Sequence, residues 1–313
     1  MTSSKTDSAL LQLARALHDS AYCFTTVTPA THQKVNARPE NAWAKNTKDV
    51  FGWSRPFHPH VLPPHILDLM QRAGVAVRFE DGFRPLIRVS SLSGELFIHS
   101  AFPTTEADAV FFGPDTYRYA LAMEGLFASD LAPVKRAVDI GTGAGPGAIL
   151  TALHFPEAEV VGVDINPEAL RLTRINAALA GTKNVEARES NLLRDVEGDF
   201  DLIVSNPPYL VDPSERAYRH GGGPLGAGLS LAILDAALER LTPNGTLLLY
   251  TGAAMMDGTN PFRLAVEKRL SGENVEWNLR EMDPDVFGEE LGGGAYAQCD
   301  RIAAVVLTVR KVA

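Results

Sequence analysis

The sequence predicts an α/β protein built on an open, mostly parallel seven-stranded sheet whose last strand is antiparallel, with a small α+β unit in front of it. Three observations predict this. Beyond about residue 104, apolar runs of strand length alternate with helical patterns, as βαβ units require. The last two expected strands, 276–281 and 302–309, have no helical pattern between them and so are expected to pair antiparallel. Before residue 104 the order is different: helix, irregular stretch, helix, then hairpin strands. The expected units are 1–103 and 104–313.

The first unit opens with Leu10, Leu13, Ala14 and Leu17 at helical spacing. Residues 25–64 hold several prolines and little periodicity, which predicts an irregular connection. A short helix is expected over 65–72, ending at Gly74. Strands are expected over 75–80, 83–90 and 95–101, with Asp81-Gly82 and Ser93-Gly94 as tight turns. In the second unit the expected strands are 136–140, 160–164, 185–188, 202–205 and 246–251, followed by the closing pair. Helices are expected over 145–154, 167–179, 229–241 and 261–270. Asn166, Pro167 and Glu168 make a strong helix start: an N-cap, a first-turn proline and an acid at the positive end.

Composition narrows the class. The 313 residues are 45% hydrophobic and 21% charged, the balance of a globular protein with a sizeable core. No apolar run approaches the roughly 18 residues of a membrane span. The N-terminus lacks an apolar signal region, and Cys23 and Cys299 form no disulfide or CxxC pattern, so a cytoplasmic protein with reduced thiols is expected. The net charge of −9 is uneven: +3 over residues 1–100 and −12 over the rest. An acidic surface repels polyphosphate, so nucleic acid is not an expected partner. His58, His60 and His65 lie among prolines without an adjacent thiol or carboxylate, and no metal site is expected. The sequence carries no signal of oligomeric state.

The sharpest local feature is Asp139-Ile-Gly-Thr-Gly-Ala-Gly-Pro-Gly147, placed after an apolar strand and opening a helix. Glycines there let the backbone turn sharply and approach a ligand, next to unsatisfied helix N–H groups. Asp164 ends the following strand, where a carboxylate can accept both hydroxyls of a ribose. The run also fits the dinucleotide pattern through Gly143, Gly145 and Ala148, but a pyrophosphate would find Asp139 repulsive. A second feature, Asn206-Pro207-Pro208-Tyr209, stands at the end of a later strand of the same sheet. An amide or exocyclic amine has a delocalised lone pair and attacks poorly until its N–H bonds are oriented. The Asn206 side-chain carbonyl and the Pro207 backbone carbonyl can accept those two bonds, the prolines stiffen the loop, and Tyr209 offers a flat face to a planar group.

Together these motifs resemble the class I S-adenosylmethionine-dependent methyltransferases, within them the NPPY subgroup that includes the glutamine N5-methyltransferase (HemK-like) family. The resemblance covers about residues 110–313. It implies a Rossmann-like sheet, S-adenosyl-L-methionine as cofactor, and cofactor contacts from Asp139, Gly141, Thr142, Gly143, Gly145, Asp164, Ile165 and Asn206. The segment Val110-Phe-Phe-Gly-Pro-Asp115-Thr116-Tyr117 is similar to one that lies over the cofactor in that family, which implies covering roles for Phe112 and Tyr117. Asn191, followed by Leu192, stands where the family often has an aspartate that contacts the adenine amine. Asparagine's carbonyl can accept the same hydrogen bond.

Two departures bear on the acceptor. The loop after Tyr209 is short and lacks the family's Glu-Pro pair, and the N-terminal unit reads as α+β rather than helical. The expected reaction is therefore methyl transfer to an amide or amine nitrogen of a small molecule or peptide, with Asn206, Pro207 and Tyr209 catalytic. The N-terminal unit and residues 211–228 are expected to select the acceptor. The alternatives are a release-factor-like protein glutamine, S-adenosylmethionine itself as the substrate, and a non-catalytic adaptor.

Overall fold

Ser4 accepts the Asp7 amide and opens helix α1 (Lys5–Asp19), whose Leu10, Leu13, Ala14 and Leu17 form one buried stripe. The computed structural model describes residues 4–212, 216 and 218–313. The stretch expected to be irregular contains two short helices, α2 (Pro29–Asn36) and α3 (Thr47–Phe51). Thr28 and Asn46 cap them, accepting the amides of Thr31 and Asp49. Their brevity hides them from a periodicity search, since neither completes three turns. Helix α4 (Pro64–Arg72) then leads into β1 (Ala76–Phe79), β2 (Gly82–Pro85), β3 (Ile87–Leu92) and β4 (Glu95–Ser100).

The single strand expected over 83–90 is two strands. Pro85 has no N–H to donate, and the Leu86 amide turns away to the Val75 carbonyl at 3.0 Å. The result is two separate antiparallel hairpins, β1–β2 and β3–β4.

Helix α5 (Pro114–Phe127) follows; the sequence had suggested only a covering segment there. The large sheet is built from β5 (Arg136–Ile140), β6 (Glu159–Asp164), β7 (Val185–Glu189), β8 (Phe200–Ser205), β9 (Leu241–Met255), β10 (Val275–Asp283) and β11 (Arg301–Lys311). Its order is β10-β11-β9-β8-β5-β6-β7. β5 to β9 pair in parallel, and β11 runs antiparallel to both neighbours, as expected. Helices α6 (Pro146–His154), α7 (Pro167–Leu179), α8 (Gly228–Arg240) and α9 (Pro261–Leu270) cover its faces. One apolar cluster joins α5, α6 and α7 to their face of the sheet and runs on into α1, α4 and the β3–β4 hairpin. A second cluster packs α8 and α9 against the other face.

One buried side chain fixes the N-terminal hairpin to the sheet. Asn176 of α7 accepts the Ile98 amide at 2.9 Å and donates to the Ile98 carbonyl at 3.0 Å and the Ala144 carbonyl at 2.8 Å. Satisfied buried polar groups of this kind contribute about 1 kcal/mol per bond and cost more when one partner is removed. From β5 the chain winds outward through β6 and β7, then returns to the other side through β8. The crevice at the carboxyl ends of β5 and β8 is the switch point where open α/β sheets bind ligands.

Candidate active site

A cavity occupies that crevice, and every parallel strand from β5 to β8 sends residues into it. From the β5 exit come Gly141, Thr142 and Gly143; from β6, Asp164 and Ile165; from beyond β7, Asn191 and Leu192; from β8, Asn206, Pro207 and Tyr209. The motif glycines Gly141 and Gly143 have φ of 71° and 57°, left-handed values that glycine adopts without strain. The backbone of this loop, rather than its side chains, faces the cavity.

Asp139 holds the loop from beneath. It is 2% exposed, and its carboxylate accepts from Thr142 Oγ1 at 2.7 Å, the Ala148 amide at 2.9 Å and Tyr119 Oη at 3.2 Å. Burial raises its pKa to about 6, against the pull of those three donors. Its donors tie one end of α6 to the loop, so Asp139 acts on the cavity by shaping it. Asp164, half-buried, accepts the Gly143 amide at 3.0 Å and the Asn166 amide at 2.9 Å, one on each oxygen. Each oxygen keeps further acceptor capacity toward the cavity. Burial pushes its pKa up. Beside it, Ile165 is 58% exposed, an apolar side chain standing at the cavity wall. Asn191 makes no side-chain hydrogen bond among the described residues. A carboxylate for vicinal hydroxyls, an apolar wall, a free carboxamide and a strip of bare backbone fit the ribose, adenine and methionyl parts of S-adenosylmethionine.

Asn206 and Pro207 are placed differently. Neither the Asn206 carboxamide nor the Pro207 carbonyl has a hydrogen-bond partner among the described residues, and both line the cavity. Tyr209 is 5% exposed; its hydroxyl donates to Asp115 Oδ2 at 2.8 Å and its ring packs edge-on to Phe287 at 5.8 Å. The flat face expected to be open is thus largely buried, and the hydroxyl is engaged. Its ring also rests on β9, where a Cβ at Gly252 would fall 2.2 Å from the ring.

Three expected cofactor residues do not reach the cavity. Phe112 is fully buried and stacks on His99 at 4.9 Å. Tyr117 points into the N-terminal hairpin, where its hydroxyl accepts the Thr26 amide at 2.9 Å. The reason is that α5 begins at Pro114, which turns Phe111, Asp115 and Thr116 toward the cavity instead. Gly145 caps α6 with φ of 90° and faces α7, where a Cβ would sit 3.2 Å from Thr173. It is a packing residue. The sequence reading missed Asp115, Pro29 of α2, and Phe287 near the end of the chain, all of which line the cavity. Asp115 lay inside a quoted motif, but the other two carry no sequence signal. Tyr218 and Arg219 also line it, from the segment 211–228 expected to select the acceptor. Residues 213–215 and 217 of that segment lie outside the described residues.

A family model described as the small methyltransferase domain matches residues 123–256. The chain is 35% identical over 218 residues to a release factor glutamine methyltransferase of Deinococcus radiodurans, covering 65% of this chain and 72% of that one. It is 38% identical over 143 residues to a ribosomal protein uL3 glutamine methyltransferase of Bordetella pertussis, covering 41% of this chain and 48% of the relative. Among solved structures, Methanocaldococcus jannaschii Trm5 in complex with adenosine superposes with a TM-score of 0.52 at 14% identity, covering 83% of this chain and 63% of that one. That likeness is one of fold.

Proposed function

The chain belongs to the class I S-adenosylmethionine-dependent methyltransferases, in the company of the glutamine N-methyltransferases, and within that family we propose that its acceptor is a glutamine side-chain amide carried on a peptide or protein. It is an N-directed enzyme, and S-adenosylmethionine is its methyl donor. The observation that carries the acceptor proposal is the pair of unpartnered carbonyls, Asn206 Oδ1 and Pro207 O, at the end of β8. Two acceptors on adjacent residues lining one cavity match the two N–H bonds of a primary amide.

The bound cofactor supplies an electrophilic methyl group on a sulfonium. Asp164 would hold its ribose hydroxyls, Ile165 and Leu192 would wall its adenine, Asn191 would accept from the adenine amine, and the Gly141–Gly143 backbone would run along its methionyl part. Asn206 and Pro207 accept the N–H bonds of the amide, which directs the remaining lobe of the nitrogen toward the methyl group and stabilises the positive charge that grows there. Neither carbonyl is a base, so the proton shed by the nitrogen leaves to solvent. Pro29 from the N-terminal part and Tyr218 with Arg219 from residues 211–228 would choose the acceptor, since they line the cavity without belonging to the cofactor motifs.

The test is incubation with isotopically labelled S-adenosylmethionine and two matched peptide pools, one containing glutamine and one with glutamate in its place. Tandem mass spectrometry should find one labelled methyl on the glutamine side-chain nitrogen. Labelling of both pools, or of small amines in preference to the peptides, would overturn the acceptor assignment.

A further inference from the structure

Asp115 takes no part in the chemistry just described, yet it lines the cavity and is 5% exposed. Its carboxylate joins elements far apart in sequence. Oδ1 accepts from the Tyr250 hydroxyl of β9 at 2.6 Å and from Arg118 at 3.2 Å; Oδ2 accepts from the Tyr209 hydroxyl at 2.8 Å. Arg118 reaches on to Asp283 at the end of β10 at 2.7 Å. One carboxylate thus ties α5, the loop after β8, β9 and β10 together.

We infer that Asp115 is a positioning residue for methyl transfer, clamping Tyr209 so that the Asn206 and Pro207 carbonyls face one point. The two prolines fix φ at 207 and 208 but leave the loop's far end to be anchored by something else. Beyond Tyr209, among the described residues, the chain pairs through an isolated bridge, Leu210 to His220, and the Val211 amide donates to the Tyr296 hydroxyl at 3.0 Å. Next to the two carbonyls in the chain, the anchor is the Tyr209 ring, seated against Gly252 and held by its hydroxyl. Both tyrosine hydroxyls donate, so the group at 115 must accept at both oxygens, and only a carboxylate does so. Bonds to an ionised acceptor are about twice as strong as neutral ones. An amide at 115 would be nearly isosteric but would set its NH₂ against one of the donors.

This inference rests on the N-directed reading of the Asn206 loop, and one arm of its test needs no acceptor. Hydrogen exchange is followed at the Asn206, Tyr209 and Leu210 amides of the full chain for the wild type, Tyr209→Phe, Asp115→Asn and the double variant. S-adenosylmethionine affinity is measured calorimetrically, and turnover is read on the glutamine peptides. Each single variant should speed exchange at those amides about tenfold, and the double variant should add little, as expected when two groups act through one contact. The value of kcat should fall about tenfold or more, with cofactor affinity and peptide KM within about threefold, because binding surfaces are kept and only alignment is lost. Unchanged exchange and kcat in Tyr209→Phe, which keeps the ring and its packing, would overturn the inference even if Asp115→Asn fails to fold. Cofactor affinity falling in step with kcat would overturn it too, since that marks a general structural role. If the wild type methylates no peptide, the acceptor proposal fails while the exchange result still decides the clamp.

Discussion

The two ends of the cavity treat hydrogen bonds in opposite ways. At the cofactor end the chain satisfies itself: Asp139 takes three donors, Asp164 takes two backbone amides, and Thr173 and Asn176 donate to the carbonyls of Gly143 and Ala144. At the acceptor end, Asn206 and Pro207 have no partner among the described residues. The first end is a surface largely held from within, which meets its ligand by shape and by the spare acceptors of Asp164 and Asn191. The second is an unfinished hydrogen-bond set, which the planar amide we propose would complete. A scaffold can serve many acceptors by keeping the first arrangement and changing what surrounds the second.

The comparison breaks most easily at Asn206. Asn206→Ala should lower kcat by about 10²–10³-fold, as the loss of one preorganised polar partner does elsewhere, with cofactor affinity within a few-fold. Turnover alongside calorimetric titration measures both. Full turnover would mean that this loop does not hold the nucleophile.

The next effect is at Asp139, on stability. Its pKa in the fold is about 6 against an unfolded value near 3.8, so the native state keeps the proton over that interval. Its stabilising contribution is full below about pH 4 and is lost as pH rises through 6. Asp139→Asn has no proton to lose. Between pH 4 and 7 the stability difference should therefore move in the variant's favour by on the order of 3 kcal/mol. Denaturant melts of both proteins at the two pH values read it, and a gap that does not change with pH contradicts the account.

Asp164→Ala comes third. Losing charge-assisted bonds to the ribose hydroxyls should weaken S-adenosylmethionine by roughly ten- to hundredfold. Smallest is Ile165→Ser, which removes a partly exposed apolar wall worth about 1 kcal/mol, or about fivefold in affinity. If Ile165→Ser weakened binding more than Asp164→Ala, the adenine wall rather than the ribose carboxylate would dominate the cofactor end.

The cofactor end was the more legible in sequence. Strand, glycine run and strand-terminal acid are local patterns: Gly141, Gly143, Asp164 and Asn206 line the cavity as those patterns suggested, and Asn191 as the resemblance implied. Phe112, Tyr117 and Gly145 were misplaced for a local reason as well: helix α5, not expected at Pro114, turns Phe112 and Tyr117 away from the cavity, and Gly145 stands one residue before α6 as its cap. What the sequence could not disclose is pairing across distance. Tyr209 and Asp115 are 94 residues apart, and Phe287 reaches the cavity from near the chain's end. The two short N-terminal helices escaped because they are too brief to establish a period.

The Asn176 joint has a consequence for how the N-terminal part can change. It grips Ile98 by its amide and carbonyl alone, and Ala144 likewise by its carbonyl. Such a clasp is blind to side chains. Any hairpin that presents an extended residue at that spot could be grafted there, whatever its sequence, provided its inward face fills the same apolar seam. The front of the enzyme, which sends Pro29 into the cavity, is thereby free to be rewritten for a new acceptor while the glycine loop, held by the same asparagine, keeps its shape.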